Sequence, residues 1–280
     1  MASIAHLSDV HFGRHDPAVV VAVEDFLFSK RPDLVVISGD FTQRARVGQY
    51  ELACQFIERI ESGGLEVLTV PGNHDVPLYD IFRRFARPLE RYKRFIDDDL
   101  CPWFESDDVA VLGINTARSL TIKDGSVSLE QMVRIREAFI NVAPGKTRIL
   151  VTHHPLFAMP LGDQGELTEV VKRNTDALTA VADAGVHVLL AGHFHRSYSK
   201  AAREMVENAG PAIVIQAGTA TSTRLRGEEL QSFNWIETSP DHIDLQVYAW
   251  QKQGGFKSGP PVGYTWDGHN WHSAAAEQIA

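Results

Sequence analysis

Five times along this chain a short run of Val, Ile or Leu ends in a polar cluster of Asp, His or Asn. Residues 3–7 run into Ser8-Asp9-Val10-His11, residues 34–38 into Gly39-Asp40, and residues 66–70 into Gly72-Asn73-His74-Asp75. Residues 148–152 run into His153-His154-Pro155, and residues 186–191 into Gly192-His193-Phe194-His195. Continuous apolar runs this short read as strands buried on both faces. Helical spacing fills much of the chain between them. Val19, Val20, Val23, Phe26 and Leu27 share one side of a helix over 18–30, and Leu52, Phe56, Ile57 and Ile60 one over 49–61 that stops at Ser62-Gly63-Gly64. A helix over 128–141 opens with Ser128 and Gln131 in capping-box spacing, and another covers 175–184. Strand–helix–strand order implies parallel pairing with right-handed crossovers, so the expected architecture is α/β, with a large mixed sheet or two stacked sheets and helices outside.

Three regions depart from this rhythm. Residues 77–103 read as a helical, Arg- and Phe-rich insertion or cap without strand signals. Residues 109–114 resume the strands, whereas 212–217, 233–238 and 242–250 are strands without intervening helices, which favours antiparallel pairing. Residues 251–280 are rich in Gly, Pro and Trp, show no regular pattern, and are expected to pack on the domain or on a neighbouring subunit; residues 1–250 form the main domain. A homodimer stays open.

The chain has 280 residues, enough for a sizeable core, and a net charge of −9 from 27 basic and 36 acidic residues. That balance disfavours long duplex nucleic acid as a partner. No apolar run is long enough to span a bilayer, and residues 1–6 lack a basic stretch followed by an apolar core. Cys54 and Cys101 are the two cysteines, too few for a disulfide framework or a cysteine-based zinc site, and a cytoplasmic location is expected.

In parallel α/β folds, ligands bind beyond the carboxyl ends of the strands, which is where the polar clusters fall. Asp, His and Asn suit divalent or trivalent Mn, Fe, Co or Zn. Asp9 with His11, and His193 with His195, alternate as they would on one side of an extended chain, so each pair is expected to ligate together. Asp9, His11, Asp40, Asn73, His153, His193 and His195 exceed the roughly four to six donors one ion takes. Two ions are expected, with Asp40 as the shared carboxylate.

This ordered series resembles the calcineurin-like metallophosphoesterase superfamily, over about residues 9–195. The resemblance implies a four-layer αββα sandwich with two mixed sheets. It implies that Asp9, His11 and His195 hold one ion and Asn73, His153 and His193 the other, with Asp40 bridging. His74 would contact the phosphate and protonate the leaving oxygen, and Asp75 would orient His74. Metal-activated hydroxide would attack phosphorus in line. The Gly39-Asp40-Phe41-Thr42-Gln43-Arg44-Ala45 stretch lacks the Asp-Arg-Gly of the Ser/Thr protein phosphatases and the tyrosine of the purple acid phosphatases. It is closer to the bacterial branch with class III cyclic nucleotide phosphodiesterases and glycerophosphodiesterases. The expected enzyme is a phosphodiesterase for a small organic phosphodiester. A pyrophosphatase of a UDP-linked lipid precursor is the alternative, with the 77–103 insertion over an acyl chain; a nuclease, a phosphomonoesterase and a non-catalytic binding module rank lower.

Other residues read less sharply. His154 is expected beside the ligands or at the substrate. Arg224 and Arg226 follow a strand end near His193 and suit bidentate phosphate contact. Thr116 and Arg118 read as a surface loop, and His6, His15, His187 and His242 as structural or surface residues.

Overall fold

The computed structural model describes residues 1–121, 123–160, 167–205 and 210–273. Among these residues the chain forms two mixed β-sheets flanked by helices. The strands of the first half are β1 (Ala2–Leu7), β2 (Leu34–Ile37), β3 (Val67–Thr69), β4 (Trp103–Glu105), β5 (Val109–Gly113), β6 (Thr147–Val151) and β7 (Val188–Ala191). Those of the second half are β8 (Tyr198–Ala201), β9 (Ile213–Gln216), β10 (Ser232–Thr238), β11 (His242–Gln251), β12 (Gly255–Ser258), β13 (Val262–Trp266) and β14 (Trp271–Ser273). The helices are α1 (Pro17–Lys30), α2 (Val47–Ser62), α3 (Ile81–Ala86), α4 (Glu90–Phe95), α5 (Leu129–Ile140) and α6 (Asn174–Asp183).

The first sheet runs β14-β13-β11-β10-β1-β2-β3, with β12 on β11; the second runs β4-β5-β6-β7-β9-β8. Strand alternation builds the layers. Ala5, Leu7, Val35 and Ile37 turn outward onto α1, α2 and α4, while Ile4, Leu34 and Val36 turn inward. In the second sheet Ala110, Leu112 and Leu150 face α5 and α6, while Val109, Val111, Ile149 and Val151 face the first sheet. Three apolar layers thus separate four layers of secondary structure, the αββα arrangement the resemblance implied.

Several local expectations change. Residues 77–103 are not a continuous cap. Helix α3 exposes Ile81, Phe82 and Phe85, but α4 belongs to the core: Tyr92 is buried with its hydroxyl 2.8 Å from Thr69 Oγ1, and Phe95 stacks on Tyr50. Trp103 opens an edge strand, β4. The segment over 212–217 lies parallel to β7, with antiparallel β8 beside it, so it ends the parallel series. The Gly- and Trp-rich tail is regular as far as Ser273, where β12, β13 and β14 extend the first sheet. Trp266 and Trp271 pack against His187 of the second sheet, at 6.1 and 6.2 Å between ring centroids. No helix among the described residues is long and apolar enough to cross a membrane.

Candidate metal centre

Parallel pairing of β1 with β2 and β3, and of β6 with β7, brings five strand ends to one rim. The loops beyond β1 and β2 then run side by side. Asp9 N donates to Gly39 O at 3.0 Å, His11 N to Asp40 O at 2.9 Å and Phe12 N to Phe41 O at 2.8 Å. Gly192 N donates to His153 O at 3.0 Å, joining the loops of the second sheet. The sheets are tied across the rim by His193 N, which donates to Asp9 Oδ2 at 2.9 Å. The extended-chain argument for Asp9 with His11 does not hold: both are left-handed, at φ 53° and 48°. His193 and His195 are left-handed too, at φ 80° and 56°, and this turn sends them to different groups of ligand atoms.

One group is Asp9, His11 and His195; a second is Asp9, Asp40 and His153; a third is His153, His154 and His193. Within each group the candidate ligand atoms lie within 4.8 Å of one another. Asn73 joins the third group, its Oδ1 lying 3.2 Å from His153 Nε2 and 3.0 Å from His193 Nδ1. Asp40 stands between the halves, with Oδ2 3.7 Å from His11 Nε2 and 3.4 Å from His153 Nε2.

Hydrogen bonds outside the cluster aim these atoms inward. His153 Nδ1 donates to Ser38 O at 2.7 Å and His195 Nδ1 to Arg224 O at 3.2 Å, so each turns Nε2 to the centre. Each carboxylate has one oxygen tied. Asp9 Oδ2 accepts from Ser8 Oγ at 2.6 Å and Asp40 Oδ1 from His74 N at 2.8 Å. Asp9 Oδ1 is buried without a hydrogen-bond partner, 3.1 Å from His195 Nε2 and 3.5 Å from His11 Nε2, and those two nitrogens are 3.1 Å apart. Lone-pair atoms crowded this closely in a buried site need a positive centre among them, so the donor set fits metal cations.

The electrostatics agree. Burial holds His11 below its usual range and takes His193 down to about 3, helped by His153, so both offer neutral nitrogens. Burial disfavours charge on His153 too, but the Asp40 carboxylate outweighs it and raises His153 to about 9. A cation bound there would compete with the His153 proton, so binding would depend on pH.

His74 lines the mouth of the cluster. Its Nδ1 donates to the Gln43 carbonyl at 2.8 Å, leaving Nε2 for a ligand. Gln43, rather than Asp75, therefore sets the ring. The Asp75 carboxylate instead accepts from Thr42 N at 2.9 Å, Gly72 N at 2.9 Å and Phe41 N at 3.2 Å, clamping the Asp40 loop to the Asn73 loop. Burial, then the charge of Asp40, pushes this carboxyl up to about 7. Thr116 is no surface residue: it is buried and its Oγ1 is 2.8 Å from His154 Nδ1. Gln43 and Thr116 follow strand ends in the sequence, the signal that would have marked both. Arg224 lines a depression with His74 and Asn73, whereas Arg226 lines a separate one with Glu228 and Glu229.

The calcineurin-like phosphoesterase family model matches residues 2–197. The chain belongs to that family. Its members' chemistry makes it a metal-dependent phosphoester hydrolase. A glycerophosphodiester phosphodiesterase, GpdQ of Enterobacter lignolyticus (strain SCF1), is 26% identical over 236 residues, covering 76% of this chain and 78% of that one. The DNA double-strand break repair protein Mre11 of Nanoarchaeum equitans is 29% identical over 84 residues, 26% of this chain and 23% of that one. Among solved structures, purple acid phosphatase PPD1 from yellow lupin (Lupinus luteus) seeds matches with a TM-score of 0.71 at 13% identity, over 94% of this chain. The chain spans 53% of that enzyme's length. A dimetal phosphatase from Danio rerio matches with a TM-score of 0.63 at 12% identity, over 95% of this chain and 99% of its own. These two likenesses show the fold.

Proposed function

We propose that the chain is a dinuclear phosphodiesterase acting on small organic phosphodiesters, of the glycerophosphodiester or cyclic nucleotide kind. The observation that carries this reading is the pair of half-tied carboxylates, Asp9 and Asp40, each turning one oxygen toward inward-facing histidines. The GpdQ relatives, at 26% identity, support a diester as substrate.

Asp9, His11 and His195 would hold one ion, Asn73, His153 and His193 the other, and Asp40 would bridge. When bound, two cations supply Lewis acidity and a water-derived nucleophile at neutral pH. The protein's own groups do the rest. Ser38 and Arg224 carbonyls fix His153 and His195, so the donors need little reorganisation. His74, set by Gln43, presents Nε2 to the phosphate and hands a proton to the departing alkoxide. Arg224 lines the same depression and places a positive charge beside the anionic ester. His154, held by Thr116, backs His193 with a ring-centroid separation of 4.6 Å.

The test is initial rates on bis(p-nitrophenyl) phosphate and p-nitrophenyl phosphate, with metal content on the same batch. Two metals per chain and a preference for the diester are expected. A preference for the monoester would make this a phosphatase, and a chain that binds no metal would overturn the ligand assignment.

A further inference from the structure

Two adjoining depressions open at the metal rim. One, of about 250 Å³, is lined by Asn73, His74 and Gln43, with Arg44, Tyr79 and Arg224 around them. The other, of about 440 Å³, is lined by Arg14, Gln43, Arg44, Thr223 and Arg224. They share Gln43, Arg44 and Arg224. The Gln43 carbonyl holds His74 and the Arg224 carbonyl holds His195, so the second depression lies between two backbone anchors of the reactive site. Its own walls are tied together: Thr223 N and Oγ1 both donate to Arg14 O, at 2.7 and 2.8 Å.

The charge at this mouth runs against the chain. Acids outnumber bases by 36 to 27, yet the charged residues lining the two depressions are Arg14, Arg44, Arg84, Lys123 and Arg224, with no Asp or Glu among the described residues. Arg84 is accounted for: it is buried and donates to the carbonyls of Pro77 and Thr121. Arg14, Arg44 and Arg224 are exposed and make no ion pair among the described residues. Arg44 instead lies 5.5 Å over the Tyr79 ring, a contact that orders the guanidinium without neutralising it. Like charges gathered without counter-ions repel, and the nearby substrate phosphate already has the metal centre and Arg224. The remaining positive charge suits a second anion, and guanidinium groups suit phosphate best.

We propose that the Arg14–Arg44 side of the second depression is a second phosphate subsite, so that the preferred substrate is a small phosphodiester bearing a further phosphate on one arm. This rests on the phosphodiesterase reading above and narrows it. A glycerol arm leaves the subsite empty, whereas an arm ending in phosphate reaches from the metal rim into it.

The experiment compares the metal-loaded enzyme on thymidine 5′-(p-nitrophenyl phosphate) and on the same ester carrying a 3′-phosphate, which share one leaving group. We expect the 3′-phosphorylated ester to be favoured about tenfold or more in kcat/KM, less so as salt rises. The preference is expected to collapse toward one in the Arg14→Gln, Arg44→Gln double variant, whose melting temperature checks its fold. Calorimetry with thymidine 3′,5′-bisphosphate against thymidine 5′-monophosphate reads the same contrast without turnover. Equal turnover of both esters, or a preference that survives in the double variant, would overturn the subsite and leave the phosphodiesterase standing. No turnover of either ester, with tighter bisphosphate binding that needs Arg14 and Arg44, would support the subsite and overturn the phosphodiesterase reading. Equal affinity for the two nucleotides would overturn the subsite whatever the rates.

Discussion

A single methyl group at Gly72 tests the placement of Asp40. Gly72 has φ −102° and ψ −179°, extended backbone that alanine adopts without strain, so Gly72→Ala adds a side chain and changes little else. The new Cβ would stand 2.1 Å from Asp40 Oδ1, 2.4 Å from Asp40 N and 2.8 Å from Asp40 Cγ. Carbon contacts settle at about 3.5–4.0 Å, so the two loops must part by ~1 Å or more. That separation stretches two bonds at once, from His74 N to Asp40 Oδ1 and from Thr42 N to Asp75 Oδ1. Overpacking of this kind costs about 1–3 kcal/mol of stability, and a misplacement of ~1 Å at a reacting centre costs about 100-fold in rate. Metal content, kcat/KM on bis(p-nitrophenyl) phosphate and the melting temperature are measured together. We expect about 100-fold lower kcat/KM, lower metal occupancy and a modest drop in melting temperature. The control is Gly48→Ala in α2, where the nearest atom to the new Cβ is Glu51 Oε2 at 3.9 Å; it should be neutral or stabilising by up to ~1 kcal/mol. A Gly72→Ala protein with full metal content and normal turnover would refute the packing of Asp40 against this loop as a requirement of the site.

Three further outcomes are expected. His74→Ala should lose about 10²–10⁴-fold in kcat, more for a diester with an alkyl leaving group than for one releasing nitrophenolate, with metal content unchanged; equal losses on both would refute proton donation. Stripping the metals with a chelator should lower the melting temperature, since free metal at about 100 times its dissociation constant stabilises the fold by ~2.7 kcal/mol per site; an unchanged melting temperature would refute the coupling. Burial, with a smaller contribution from Arg148, holds His187 at about 4 rather than 6.5. Below pH 6.5 the unfolded chain gains a proton there that the folded chain refuses until about pH 4, so stability falls across that window by up to ~3 kcal/mol. His187→Gln should lose less stability than the parent between pH 7 and 5, as read by thermal melts, and parallel losses would refute the assignment.

Strand identity was legible wherever a strand is buried on both faces, because the apolar run is then unbroken. Leu34–Ile37 and Val188–Ala191 are of this kind. Edge strands hide: Trp103–Glu105 and Tyr198–Ala201 are largely half-exposed and carry charged or polar side chains that spoil any pattern. Composition masked the tail, where Gly and Pro mark the turns between β11, β12 and β13 rather than an absence of strands. At the site, the candidate ligands were marked by residue type and strand-end position, and the structure gathers them at one rim. The supporting bonds were not, because the Gln43 contact to His74 and the Thr116 contact to His154 depend on how loops distant in sequence fold together.

The backbone conformation of the candidate ligands could not be read either, and it bears on how the site is built. Asp9, His11, Asp40, His193 and His195 all have φ between 48° and 80°, a region that non-glycine residues enter at some cost, with Asp and His among the more tolerant. Left-handed turns at these residues set their side chains on the rim. Backbone and side-chain bonds between the loops hold those turns, among them Thr219 Oγ1 to Asp9 O and Thr221 Oγ1 to Val10 O, both 2.6 Å. Local strain and crowded lone pairs are therefore built into the folded chain before any ion arrives. Bound cations would relieve the second of these, so the same residues that cost stability in the metal-free protein would stabilise the metal-loaded one.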